Sequence, residues 1–241
     1  MTAARNYRYY DFVMVAFVTV LICSNLIGPA KIAQVDTPWL AWIHPGLATL
    51  AFGAGVLFFP ISYVFGDILT EVYGYSRARK VIWAGFAGLA FASVMASVVV
   101  QLPPAPFWKH QAAYEIAFGN TWRIVLASMF AYFCGEFVNS FVLAKMKIWT
   151  KGKHLWSRTI GSTIFGEAVD SALFYPLAFY GTGIIPNDKL PAVMLAQFVA
   201  KVAVEVLFTP LTYLLVGWLK RAEQEDYFDR DTRFTPFSLK V

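Results

Sequence analysis

Residues 81–100, VIWAGFAGLAFASVMASVVV, form an uninterrupted apolar stretch that decides the fold class. None of these residues is charged. As an α-helix rising about 1.5 Å per residue, the stretch would extend roughly 30 Å. That length matches the hydrocarbon core of a lipid bilayer. The stretch therefore predicts a transmembrane helix in an integral membrane protein.

Apolar stretches of similar length recur along the chain. Hydrophobic residues make up 58% of the sequence and charged residues 15%, whereas soluble domains carry about 25% charged residues. Residues 1–241 are predicted to form a single all-α membrane domain with a short solvated tail at 220–241. Segment 103–120 is expected to be a connector or an ordered cap with a short helix. The predicted transmembrane helices lie near 10–30, 45–71, 80–102, 122–145, 158–181 and 190–219.

The distribution of Lys and Arg predicts the orientation in the membrane. Of the twenty basic residues, fifteen fall in the terminal segments and in the loops on the same side as the termini. Four fall on the other side and one, Lys201, lies inside the sixth predicted helix. Cytoplasmic segments of membrane proteins carry this excess of positive charge. Both termini are therefore predicted to be cytoplasmic, and the basic net charge of +5 needs no nucleic-acid partner.

Charged side chains occur inside the predicted helices, where each costs about 2.5–3.5 kcal/mol near the bilayer centre. Helical spacing places them in sets on single helix faces, and inward-facing sets would line a shared polar cavity. For two of these groups a structural role is the alternative to ligand binding. Glu71 could lie at the membrane interface, and Lys201 could form a structural pair with Glu205. The sets are Asp67 with Glu71, Glu136 with Asn139, Glu167 with Asp170, and Gln197 with Lys201 and Glu205.

A short repeat and several small or cyclic residues add to this pattern. Phe65-Gly66-Asp67 and Phe165-Gly166-Glu167 are alike and lie in helices that would run in opposite directions, as in a 3+3 inverted repeat. Pro60 is expected to kink the second helix about two turns before Asp67. Small residues recur every fourth position at 84, 88, 92 and 96, which predicts close packing within the bundle or in a homodimer.

The sequence lacks the motifs of several other classes of protein. It contains no Walker A motif and no HExxH motif. His44, His110 and His154 have no metal-binding spacing, and Cys23 and Cys134 are interpreted as reduced packing residues. We therefore expect no enzyme activity, no metal and no cofactor.

Several motifs together resemble one known family. They are Ser24-Asn25, Phe59-Pro60 followed by Gly66-Asp67-Ile68-Leu69-Thr70-Glu71-Val72-Tyr73-Gly74, Ser162-Thr163-Ile164-Phe165-Gly166 with Asp170, and Lys201. The chain resembles the queuosine precursor transporters over nearly its whole length. The resemblance implies import of 7-deazaguanine precursors of a modified tRNA base across the bacterial inner membrane. It also implies a fold similar to the substrate-binding subunits of vitamin importers.

The resemblance suggests a purine-like ligand, for which the chain offers suitable groups. Carboxylates can accept from the ring N–H and exocyclic amine of a deazaguanine, and amide or ammonium groups can donate to its carbonyl. Aromatic side chains can flank the flat ring. The predicted polar contacts are Asn25, Asp67, Glu71, Glu136, Asn139, Glu167, Asp170, Gln197 and Lys201, and the predicted aromatic walls are Tyr63, Phe65, Phe165, Phe174 and Tyr175.

Three alternatives stay open from the sequence. The chain could carry another vitamin or nucleobase, or it could be a binding subunit that needs an ATPase partner. The alternative from another class is a membrane enzyme or a scaffold.

Overall fold

The computed structural model describes residues 6–27, 31–42, 49–119 and 122–238. Six long helices and one short helix account for most of these residues. The helices are α1 Tyr10–Leu26, α2 Phe59–Tyr73, α3 Tyr75–Gln101, α4 Gln111–Phe118, α5 Trp122–Trp149, α6 Leu155–Phe179 and α7 Leu190–Glu223. Of the two alternatives for 103–120, the ordered segment with a short helix is the one observed, as α4.

A two-stranded antiparallel ribbon departs from the all-α prediction. Strand β1 (Ile32–Asp36) pairs with β2 (Thr49–Gly53), with Ile32 opposite Gly53 and Asp36 opposite Thr49. A 3₁₀ helix, Ala54–Phe58, then leads into α2. The second helix therefore begins at Phe59 rather than near residue 45, while residues 43–48 lie outside the described residues.

Pro60 does not kink α2, contrary to the prediction. It occupies the first turn of the helix. A backbone N–H at this position would have no partner within the helix, so proline costs little there. Pro176 and Pro210 lie inside α6 and α7, which continue through them.

Three segments of the described chain are long and apolar enough to cross a membrane, judged by length and composition. They are Tyr75–Gln101, Leu190–Glu223, and Gln111–Trp149, which includes α4 and α5. Large apolar side chains such as Phe91 on α3 and Leu207 and Leu214 on α7 are exposed. These surfaces are the ones that a bilayer would cover.

The long helices alternate in direction between two ends of the bundle. The tail end, named after residues 224–238, contains the starts of α1, α3 and α6 and the ends of α2, α5 and α7. At this end the Tyr7 hydroxyl donates to Glu225 at 2.8 Å and the Arg8 N–H donates to Glu223 at 3.0 Å. The opposite end, here called the cavity end, contains the ends of α1, α3 and α6.

Glycines let the central helices approach closely. A Cβ atom at Gly166 would lie 2.8 Å from Cβ of Asn139, and one at Gly135 would lie 3.1 Å from the Gly166 carbonyl oxygen. The α5–α6 contact therefore depends on the absence of side chains at both positions. Gly88, in the small-residue pattern of α3, faces Val18 and Ile22 of α1. The predicted homodimer stays a prediction.

The tail packs on the bundle and is not the solvated extension that the sequence predicted. The buried carboxylate of Asp229 accepts from the Tyr75 N–H at 3.0 Å, which caps the start of α3. Arg79 donates to the carbonyl of Thr235 at 2.7 Å, and Trp83 donates to that of Pro236 at 2.7 Å. Burial raises the pKa of Asp229, while the hydrogen bonds from Tyr75 and Thr232 act in the opposite direction.

Candidate functional site

Lys201 is the centre of a polar cluster that joins α2, α6 and α7. Its ammonium lies 2.7 Å from Glu167 Oε2 and 2.9 Å from Asp170 Oδ2. Glu167 Oε1 also accepts a hydrogen bond of 2.6 Å from the Tyr63 hydroxyl. Four predicted site residues are thus brought together, and we call Tyr63, Glu167, Asp170 and Lys201 the Lys201 cluster.

The Lys201 cluster has more acid than base. Two carboxylates share one ammonium, and a third carboxylate, Glu136 of α5, faces Glu167, Asp170 and Lys201. Asn139, one turn further along α5, has a buried Oδ1 that accepts no hydrogen bond within the described part of the chain. The arrangement has spare acceptors for a ligand that carries N–H donors or a positive charge.

A second acidic pair lies one helical turn closer to the tail end. Asp67 of α2 and Glu205 of α7 are buried, and their carboxyl groups are within hydrogen-bonding range of each other. From the sequence, Asp67 was predicted as a ligand contact, whereas Glu205 was predicted on one helix face with Gln197 and Lys201, with a Lys201–Glu205 pair as the structural alternative. In the structure Lys201 pairs with Glu167 and Asp170 instead. The signal for Glu205 was its position one turn after Lys201 on the same face.

Glu71 is held apart from these groups by cations at the tail end. Its Oε1 accepts from Arg158 at 2.7 Å and from Lys220 at 2.6 Å, and Lys147 donates to its backbone oxygen at 2.6 Å. Asp226 in the tail joins the network through Lys147 and Lys220. This tail-end network connects α2, α5, α6 and α7. Glu71 therefore contacts protein cations instead of the predicted ligand, in line with the structural alternative.

Burial and hydrogen bonding shift the pKa of Asp226 in opposite directions. Its carboxylate is half-exposed, and partial burial alone would raise its pKa. The hydrogen bonds and charges of Lys147 and Lys220 outweigh that effect and hold the pKa of Asp226 below its usual range. Asp226 is therefore ionised when the network is formed at neutral pH.

A cavity of about 220 Å³ opens at the cavity end. Two predicted site residues, Asn25 and Phe174, line it together with Ser128. Ser128 donates to Asn25 Oδ1 at 3.0 Å, which leaves the amide nitrogen bonded to the Leu21 carbonyl at 2.9 Å. Asp170 lies one turn before Phe174 on α6 and is not among the residues that line this cavity.

The remaining predicted residues are divided between the interior and the surface. Phe65 packs against the core formed by α1, α2, α3, α6 and α7. Phe174 and Tyr175 make an edge-to-face contact with ring centroids 5.2 Å apart. Gln197 is exposed, and Phe165 is 58% exposed, so the structure does not bring these two into the Lys201 cluster.

Comparison with known proteins identifies the family. A sequence profile described as "Putative vitamin uptake transporter" matches residues 53–215, which include α2 to α6 and the part of α7 that carries Lys201 and Glu205. The chain belongs to this family of vitamin uptake transporters. The match is to transporters and not to enzymes.

Curated relatives carry more specific names. A protein of Bacillus subtilis (strain 168) named "Probable queuosine precursor transporter" is 30% identical over 203 residues, which cover 84% of this chain and 81% of the relative. The "Queuosine precursor transporter" of Escherichia coli (strain K12) is 24% identical over 169 residues, covering 68% and 73% of the two chains. No solved structure matches the chain.

Proposed function

We propose that the protein imports a 7-deazaguanine precursor of queuosine across the bacterial inner membrane. The observation that carries this proposal is the Lys201 cluster, in which one ammonium and two carboxylates meet among helices of a transporter family. The names of the curated relatives support the choice of substrate. In this function the protein interacts with the lipid bilayer and with a small purine-like substrate. No nucleic-acid partner is involved.

The chemistry of the cluster suits a deazaguanine. The ring N–H and exocyclic amine form a donor edge that a carboxylate of Asp170 or Glu167 can accept in bidentate fashion. Lys201 can donate to the ligand carbonyl once it exchanges one of its two carboxylate contacts. Glu136, Asn139 and Asp67 supply further polar groups, and Tyr63, Phe174 and Tyr175 supply aromatic surface.

Substrate would enter through the cavity at Asn25. That residue and Phe174 lie between the cavity end and the Lys201 cluster. The cavity of about 220 Å³ is below the usual 300–1,000 Å³ of ligand pockets, so the helices would open further around the ligand. In the orientation predicted by the basic residues, the cavity end faces outward and the tail end faces the cytoplasm.

Six transmembrane helices, related as two inverted halves, would provide alternating access. The alternating direction of the six long helices supports this arrangement, as do the like positions of Gly66 and Gly166, which both face α5. In this proposal the tail-end network closes the cytoplasmic side while its ion pairs are formed, and the cavity lies at the other end. Breaking that network would open the path to the cytoplasm.

Uptake by cells that cannot synthesise the precursor tests the proposal. The externally supplied 7-deazaguanine precursor should restore the modified base in tRNA when the protein is present. Lys201→Met, Asp67→Ala and Asp170→Ala should each reduce initial uptake about tenfold or more, since hydrogen bonds to charged groups contribute about 1.5–3 kcal/mol. Glu115→Gln on exposed α4 is the control and should transport normally. Normal uptake by both Asp variants at equal membrane levels would show that the proposed site is wrong.

The family description favours one second candidate, uptake of another vitamin or nucleobase. Thermal stabilisation of the purified protein across a panel of purines and vitamins separates the two. Stabilisation by a deazaguanine alone supports the first proposal.

A second question is whether an ATPase partner is needed. Uptake by liposomes that contain this chain alone would exclude that requirement.

A further inference from the structure

Two buried carboxyl groups in the bundle form no ion pair with any cation in the described part of the chain. Asp67 is 1% exposed and Glu205 is 0% exposed. None of their four oxygens accepts a hydrogen bond from a donor in the described ranges, 6–27, 31–42, 49–119 and 122–238. The side chains instead point at each other, carboxyl to carboxyl, across the contact between α2 and α7.

The other buried acids of the bundle show that this pair is different. Glu167 and Asp170 share Lys201, and Glu71 has Arg158 and Lys220. A buried carboxylate without a cation or a donor is strongly unfavourable, and two carboxylates in contact also repel each other. A carboxylic acid can donate to a carboxylate, so one bound proton removes the repulsion and satisfies both groups.

Among the described residues, the neighbours of the pair are acidic, phenolic or apolar groups, and the nearest cation on α7 is already paired. Glu136 faces Asp67 from α5, while Tyr63 and Glu71 lie on α2 itself. The α1 helix contributes the apolar ring of Phe17 beside Gly66. Lys201 lies one turn away on α7, and its ammonium is held by Glu167 and Asp170.

We propose that Asp67 and Glu205 together form the binding site for one proton that crosses the membrane with each substrate molecule. This inference rests on the transport function proposed above. The proton binds a carboxylate from the outer solution, stays in the hydrogen bond between the two groups, and leaves to water on the cytoplasmic side. The gradient of protons across the membrane thereby drives import.

The placement of the pair couples the proton to the substrate. Tyr63 lies one turn before Asp67 on α2, and Lys201 lies one turn before Glu205 on α7. The same two helices therefore hold the proton site and the Lys201 cluster. A shared proton holds α2 against α7. This keeps Tyr63 and Lys201 in place to donate hydrogen bonds to Glu167. Loss of the proton restores the repulsion between Asp67 and Glu205. This repulsion separates α2 from α7 at the proton site and at the Lys201 cluster.

Proteoliposomes containing the full chain provide the test. Labelled 7-deazaguanine uptake and internal pH are recorded with and without an imposed pH gradient, acid outside. With one proton per substrate, a gradient of about one pH unit supports about tenfold accumulation, since one unit is equivalent to about 1.36 kcal/mol. Glu205→Gln should lose this accumulation and the accompanying internal acidification, yet still exchange labelled for unlabelled substrate. Glu115→Gln should behave as the wild type.

Infrared spectroscopy of the purified protein separates failure of this inference from failure of the transport proposal. The wild type should show the C=O stretch of a protonated carboxyl group that shifts in D₂O and is absent from the double variant Asp67→Asn/Glu205→Gln. Wild-type uptake without proton movement, or spectra lacking that difference, would overturn the proton site. The spectral difference without uptake of any deazaguanine would support the proton site and overturn the proposed substrate.

Discussion

Replacing Glu71 with Gln tests the tail-end network. The Glu71 side chain is 0% exposed, and its Oε1 lies 2.7 Å from Arg158 and 2.6 Å from Lys220. The substitution keeps the volume of the side chain but leaves Arg158, itself 1% exposed, without its carboxylate. Removing one partner of a buried ion pair costs about 3–5 kcal/mol, because the remaining charge stays buried and uncompensated.

The expected loss can be measured as thermal unfolding of the purified protein in detergent. At about 2–4 °C per kcal/mol for a chain of this length, Glu71→Gln should lower the Tm by roughly 6–20 °C. Glu115→Gln changes the same atoms on exposed α4 and should shift the Tm by less than about 2 °C. Equal Tm values for the two variants would refute the reasoning that Glu71 holds the ends of four helices together.

Two further predictions concern the packing of α5 against α6 and the docking of the tail. Gly166→Ala places a Cβ 2.8 Å from Cβ of Asn139 and should cost about 1–3 kcal/mol of unfolding free energy, whereas Gly217→Ala has open space and should not destabilise. Equal Tm values for these alanine variants would contradict the close approach. The pKa of Asp226 is lowered in the folded protein. Its contribution to the stability of tail docking is therefore complete above the ordinary Asp pKa of about 3.9, and it is lost as the pH falls through the lower folded pKa. The protection of residues 224–238 against hydrogen exchange, corrected for the intrinsic pH dependence of amide exchange, should therefore fall on acidification in the wild type, with a smaller change in Asp226→Asn. An identical pH response in both proteins would exclude Asp226 as the group responsible.

The positions of most long helices could be predicted because apolar length is a local property of the sequence. The stretch 81–100 lies within α3, and the predicted start at residue 122 is also the first residue of α5. The second helix could not be predicted in the same way. Apolar residues before Phe59 suit a buried strand as well as a helix, and hydrophobicity alone does not distinguish them.

The members of the Lys201 cluster could be selected from the sequence, but their pairing could not. Helical spacing placed Glu167 with Asp170 and Lys201 with Glu205 on single faces. Which face meets which depends on the rotation of each helix, and close approach at Gly135 and Gly166 sets that rotation for α5 and α6. For the same reason the sequence did not show that Glu71 is neutralised by cations from three other helices.

Uptake of labelled 7-deazaguanine by liposomes that contain this chain alone tests the central claim most directly. We expect saturable uptake by the wild type, inhibited by unlabelled deazaguanine, and at least tenfold slower uptake by Lys201→Met at equal reconstitution. Uptake by Lys201→Met at the wild-type rate, or wild-type uptake no faster than that of empty liposomes, would contradict it.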